Sequence, residues 1–209
     1  LWLMLLIALF TIALLMSLVL LRVQASLYTA KVYQIQTAVE NTTSIIERFQ
    51  RLEQQGVLST EEAQAEAREM IRGLRYDGTG YFFIQDTKLR MVLHPMNPSL
   101  EGQDVSTLKD AKGVAFNRKM LSVAQNTGKG IVEYSWPKPG SSAPIDKISY
   151  VALLQPWGWI LGTGVYIDDI QAKFKDEVLK TGSLALVFCA LLTLVTALIS
   201  RSITRPLTH

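Results

Sequence analysis

The stretch EYSWPKPGSSAPIDKISY, Glu133 to Tyr150, decides the fold. Two segments rich in aromatic and β-branched residues flank the loop PKPGSSAP, the pattern of a strand, a turn and a strand. Closing that loop symmetrically about Gly140 sets Tyr134 opposite Lys147 and Val132 opposite Ser149. A tight turn at Gln155-Pro156-Trp157-Gly158, followed by WILGTGVY, sets Lys147 opposite Tyr166 as well. Opposed residues share a sheet face. One face therefore carries Tyr134, Lys147 and Tyr166 in a row, with the small residues Ser149, Gly162 and Gly164 beside them. Lysine is depleted in strands and almost never fully buried without a partner. A lysine at the centre of such a row calls for an anion. Two other readings stand beside that one: Lys147 pairs with Glu133 or Asp146, or its stem runs along the surface to put the ammonium in water.

Working outward, Tyr81 to Gln85 is aromatic and β-branched, Asp86-Thr87-Lys88 turns, and Arg90 to His94 returns before Pro95 stops the strand. The same hairpin argument brings Tyr81 near His94. Gly130 to Trp136, Ile145 to Leu154 and Gly158 to Tyr166 supply three further strands. Gly113 to Thr127 reads as a helix with Val114, Phe116, Met120, Leu121 and Ala124 for packing, ended by Gly128. Ahead of the strands, Ser59-Thr60-Glu61-Glu62 is a capping-box pattern opening a helix that runs to about Gly73. Strands joined by short turns pair antiparallel, so the class is α+β rather than a βαβ repeat.

The ends of the chain are apolar. Leu1 to Leu21 carries no charge, and neither does Gly182 to Ser200; about twenty such residues span a bilayer core. The expected organisation is a transmembrane helix at 1–21, an extracytoplasmic ligand-binding domain with stalk helices at 22–181, a second transmembrane helix at 182–200, and a linker from 201 to 209. Arg201 and Arg205 directly after the second span place that end in the cytoplasm. From Arg22 to Leu52 there is no proline or glycine, and Tyr28, Val32, Ile35, Val39, Thr42, Ile46 and Phe49 alternate in steps of four and three. That seam predicts a long helix, packed on its own domain or dimerising through 24–52. The first residue is Leu1 and the last His209, just after Pro-Leu-Thr, as expected of a fragment.

The net charge of +3 and the lack of a basic stripe with interleaved aromatics argue against nucleic acid. The single cysteine, Cys189, lies in the second apolar run, so the outer domain has no disulfide to stabilise it. Two histidines, His94 and His209, are too few for a His-based metal site, and no phosphate loop, nucleophile elbow or HExxH motif occurs. No enzyme, metal or cofactor is expected. Glu101 and Asp104 read as solvated loop residues. Trp136, Trp157 and Trp159 read, from the residues alone, as packing or turn residues.

GYFFIQD, His94-Pro95 followed by NPSLEGQD, KDAKG, GIVEYSWPKPG, KISYV and PWGWILGTGVYIDD occur in that order. Together they resemble the single Cache domain, second subtype, of bacterial transmembrane receptors, over roughly residues 24–174. SRSITRPLTH, with Pro206 after the second span, resembles the opening of a HAMP linker. The resemblance implies a PAS-like five-stranded antiparallel sheet with a long N-terminal helix. It implies recognition of a short organic acid of two to four carbons, most often in methyl-accepting chemotaxis receptors of the inner membrane, with the sensor domain periplasmic. The alternatives it implies are the input domain of a sensor histidine kinase or cyclic-dinucleotide enzyme; a ligand-free dimerisation or protein-interaction module is the reading from a different class. The ligand set implied is Lys147, His94 and Pro95, with Tyr81, Tyr134, Tyr150 and Trp136 in the aromatic motifs; the hairpin register adds Tyr166. The expected partners are the small acid, a second copy of the chain and a cytoplasmic HAMP and signalling module.

Overall fold

The computed structural model describes residues 2–204. Arg205, Pro206 and His209, which the orientation, linker and histidine arguments used, lie outside the described residues. The order is helix α1 (Trp2–Gln54), α2 (Thr60–Arg72), strands β1 (Phe82–Asp86) and β2 (Met91–Leu93), α3 (Phe116–Thr127), β3 (Lys129–Pro137), β4 (Pro144–Leu154), β5 (Trp159–Tyr166) and α4 (Ile167–Thr204). A short 3-10 turn at Pro98–Leu100 lies between β2 and α3. The chain divides into two units, one of the residues up to Thr29 with those from Ile170 onward, the other Ala30–Asp169. The first unit holds the apolar stretches of α1 and α4, both long and apolar enough to cross a membrane.

The second unit is built on one antiparallel sheet of order β2-β1-β5-β4-β3. The PAS-like five-stranded arrangement that the resemblance implies is present. Its registers match the hairpin arithmetic: Tyr134 pairs with Lys147, Val132 with Ser149, and Lys147 with Tyr166. The first hairpin differs. Ile84 pairs with Leu93 and Gln85 with Met91, with a bulge between them. A symmetric turn would have set Ile84 opposite Met91; the turn moves the pairing by one residue and the bulge by one more, two in all at Ile84. A two-residue shift preserves the face, and Tyr81 and His94 still meet, with ring centroids 5.4 Å apart. The turn itself holds Leu89 at φ 60°, a left-handed conformation that favours glycine.

α2 begins as its sequence dictates. Ser59 Oγ accepts from the Glu62 N–H, and the Glu62 carboxylate accepts from the Ser59 N–H at 2.8 Å. α3 starts at Phe116, three residues later than expected, because Asp110-Ala111-Lys112-Gly113 form a turn. Asp110 Oδ1 accepts from the N–H groups of Lys112 and Val114, and Oδ2 from that of Ser135 on β3. Gly128, at φ 76°, ends the helix as expected.

The seam on α1 faces its own sheet. Ile35, Val39, Ile46 and Phe49 are buried with Ile84, Leu93, Ile148, Tyr150 and Leu161, and with Ala63, Ala67 and Ile71 of α2. Over this part of the seam the own-domain alternative holds. From Ile35 to Phe49 its apolar positions pack within one chain, while the outward positions Glu40, Asn41, Ser44, Glu47 and Arg48 are polar and exposed. The other sheet face packs on α3 through a second cluster that includes Tyr81, Phe83, Phe116, Met120, Tyr134, Val151 and Ile160.

Candidate functional site

Alternation along each strand brings the site together on the α3 side of the sheet. β4 sends Lys147 and Ser149 there, β5 sends Tyr166 and the two glycines, and β3 sends Tyr134 and Trp136. Tyr81 and Phe83 arrive from β1, and His94 from the end of β2. Lys147 is 1% exposed. Its Nζ donates to Tyr81 Oη at 3.0 Å. The ammonium also lies 4.3 Å from the ring centroid of Tyr81, 5.0 Å from that of Tyr166 and 5.9 Å from that of Phe83. Among the described residues no carboxylate makes an ion pair with it. Asp146 is engaged elsewhere, by Lys112 Nζ at 2.5 Å and Ser135 Oγ at 2.6 Å.

Burial decides the electrostatics. Removing the ammonium from water brings the Lys147 pKa down to about 7. Aromatic faces and one phenol offset part of that cost. His94 is also buried, and burial, followed by the positive charge of Lys147, brings its pKa down to about 4. It is a neutral imidazole at physiological pH, and its Nδ1 has no hydrogen-bond partner. Desolvation pushes the phenols of Tyr81, Tyr134 and Tyr166 well above their ordinary value, so all three remain O–H donors. The site thus holds one titratable cation, neutral donors and an unfilled imidazole nitrogen.

The small residues beside the row make room for protein atoms. A Cβ on Gly164 would collide with Ser149 Oγ and stand 2.9 Å from Lys147 Cε; one on Gly162 would stand 2.5 Å from Phe83 Cζ. The glycines therefore admit the Lys147 stem and the Phe83 ring. Next to them lies a cavity of about 10 Å³, lined by Phe83, Met91, His94, Phe116, Tyr134 and Trp136 among others. That is about the room of one water molecule. The Phe116 ring stacks on Tyr134 at 4.5 Å and meets Trp136 at 5.3 Å. A larger cavity of about 190 Å³ lies toward the end of the row, lined by Asp110, Lys112, Glu133, Tyr134, Asp146, Lys147 and Ile167 among others.

Residues 27–180 match the family described as Single Cache domain 2. The chain belongs to that family. McpP, a methyl-accepting chemotaxis protein of Pseudomonas putida, is 41% identical over 207 residues, covering 99% of this chain and 38% of McpP. The sensor histidine kinase MctS of Rhizobium johnstonii is 33% identical over 113 residues, 54% of this chain and 24% of the kinase. The chain thus spans well under half the length of these relatives. A solved structure described as the structural basis for carboxylic acid recognition by a Cache chemosensory domain is 47% identical, with a TM-score of 0.66, over 68% of this chain and 97% of that one. A methyl-accepting chemotaxis protein from Vibrio parahaemolyticus is 32% identical, with a TM-score of 0.64, over 72% of this chain and 98% of that one.

Of the expected ligand set, the Cache fold brings Lys147, His94, Tyr81, Tyr134, Tyr166 and Trp136 to one region. Tyr150 is a correction. It alternates away from Lys147 and is buried in the α1-side cluster, where Lys129 and Glu40 act on its phenol. Pro95 follows His94 but is only half-buried, outside the cavity lining. Glu101 is a second correction: it is a structural anion. Arg72 forks onto both of its oxygens at 2.8 and 2.9 Å, and Glu101 Oε1 accepts from the His94 N–H at 2.9 Å. The loop of Glu101 thereby fixes the backbone of His94. Asp104 Oδ1 accepts from the Ser106 N–H. Trp159 is buried in the α1-side core, and half-buried Trp157 donates its indole N–H to Glu53 at 2.6 Å. Phe83 and Phe116 line the site without having been assigned to it. The period-two step from Tyr81 reaches Phe83; nothing in the sequence pairs Arg72 with Glu101.

Proposed function

We propose that this chain is the extracytoplasmic sensor of a transmembrane receptor and that it binds a short carboxylate of two to four carbons on Lys147. The observation that carries this reading is a buried ammonium facing aromatic rings and a phenol, with no carboxylate paired to it. Holding a charge so costs stability unless an anion joins it. A ligand carboxylate supplies that anion and receives charge-assisted hydrogen bonds from Lys147 and the neighbouring phenols. Its short tail enters the apolar space beside His94. Since the cavity there holds about one water, admission of an acid requires Trp136, Phe116 or Met91 to shift. The likeness to a Cache domain described as recognising carboxylic acids supports the same ligand class.

The apolar runs of α1 and α4 span the inner membrane, with the sensor domain in the periplasm and the end of α4 in the cytoplasm. β5 passes into α4 at Tyr166-Ile167 with no intervening loop. Occupancy of the Lys147 row biases that junction, and α4 carries the bias to a HAMP-like segment and signalling module. Methyl-accepting chemotaxis output fits the likeness to McpP along nearly the whole chain. The likeness to MctS favours one second reading, the input unit of a sensor kinase. The receptor works as a homodimer, which uses surfaces other than the buried stripe of α1.

A calorimetric titration with acetate, propionate, pyruvate, lactate and succinate tests the ligand assignment. At least one short acid is expected to bind at micromolar to millimolar concentration and to raise the melting temperature by mass action. Lack of binding by every acid in the panel overturns the assignment.

A further inference from the structure

The ring of Tyr166 is shared by two ammonium groups. Lys147 Nζ stands 5.0 Å from its centroid and Lys138 Nζ 5.4 Å. The Tyr166 hydroxyl donates to the carbonyl of Pro137 at 2.7 Å, directly before Lys138 in the chain. Lys138 in turn holds the first turn of α4, with Nζ 2.8 Å from Asp168 Oδ2 and 2.6 Å from Asp169 Oδ1. Tyr166 is also the last residue of β5 and abuts Ile167, the first of α4. One aromatic side chain therefore touches the buried cation of the candidate site, the end of β3, and the cation that grips the start of α4.

We propose that Lys138 is a positioning residue that, through the Tyr166 ring, couples the position and charge of Lys147 to the first turn of α4. This rests on the carboxylate reading only for its biological use; the coupling itself belongs to the unliganded chain as well. Both cations are attracted to one ring and repel each other, so a change at one alters the hold of the other. The buried contact of Lys147 is little screened by solvent, whereas Lys138 is partly exposed. A carboxylate that draws Lys147 away from Tyr166 strengthens the contact of Lys138 with the ring. It thereby changes the grip on Asp168 and Asp169.

Hydrogen exchange on the whole 209-residue chain in detergent tests this. The amides of Gln171, Ala172, Lys173 and Phe174 donate to first-turn carbonyls of α4 and report its opening. Replacing the buried cation by Lys147→Met is expected to change their protection by about threefold or more in the parent chain and by less than about 1.5-fold in the Lys138→Met background. Lys138→Arg should restore the coupling. Tyr166→Leu should remove it, whereas Tyr166→Phe, which keeps the ring, should retain it; loss of the coupling in the folded Phe variant would also count against the ring as its carrier. Equal changes in both Lys138 backgrounds, or no change in either, overturn the proposal. Saturating acetate should likewise alter protection in the parent chain and not in Lys138→Met; an equal response in both also overturns it. Failure of acetate and the other acids to bind at all sinks the carboxylate reading instead, and the variant cycle still decides the coupling.

Discussion

The α1 side of the sheet buries Ile148, Tyr150 and Leu161 against Ile35, Val39 and Ile46. The α3 side of the same strands buries Lys147, Ser149 and His94 among aromatic rings. Adjacent residues thus meet opposite fates: Ile148 gains stability from burial, and Lys147 loses it. Lowering a lysine pKa to about 7 corresponds to a penalty on the order of 5 kcal/mol on the charged form. The domain can hold that penalty because its apolar face carries the stability. On the proposed reading, folding and recognition are separated in this domain at alternate positions of one strand.

Substitutions on the two faces should therefore part company. The largest expected effect is from Lys147→Met, which keeps the stem and removes the charge. It should weaken acid binding by about 100-fold or more while leaving the fold intact by circular dichroism. It should also raise the melting temperature at pH 6, where the parent lysine is charged. A destabilised variant that still binds acid would erase the distinction. On the opposite face, Ile148→Ala should cost about 3 kcal/mol in denaturant unfolding and leave the acid Kd of the folded protein within about threefold. A loss of affinity much larger than that would show that the faces are not separable. Gly164→Ala should do a little of both. Its Cβ meets Ser149 Oγ and the Lys147 stem, so about 2 kcal/mol of stability and about tenfold in affinity should be lost together.

Much of this was legible in the sequence because hairpin register is arithmetic. The symmetric loops around Gly140 and Pro156-Trp157 fixed Tyr134, Lys147 and Tyr166 as a row before any coordinates, and the structure has them paired so. The first hairpin differs from the symmetric pairing by two residues at Ile84, one from the turn and one from the bulge, and neither leaves a mark in polarity. Face assignment survived because two is the side-chain period. Tyr150 entered the expected ligand set through motif membership alone, against the alternation that excluded it. The seam of α1 was readable, but its partner was not: a heptad stripe packs equally well on a second helix or on a sheet. Glu101 and Arg72 stand 29 positions apart, and only the folded loop reveals that the pair anchors His94. The size of the cavity depends on rotamers of Phe116 and Trp136, which sequence does not specify.

The central claim is that a carboxylate binds the charged form of an amine that burial has made nearly neutral, and pH exposes it. In the folded chain Lys147 titrates near 7, below the unfolded value of about 10.4. The unfolded state therefore binds more protons between those values, and this lysine makes stability rise with pH across that window. His94 stays neutral until pH falls toward 4, and the phenols stay protonated. None of these neighbours titrates near pH 8. The direct measurement is proton uptake on acid binding at pH 8, from calorimetry in buffers of differing ionisation enthalpy. The account predicts uptake of about 0.9 proton per acid bound, and affinity falling about tenfold per pH unit above 7. Binding with no proton uptake and a flat pH dependence would contradict it.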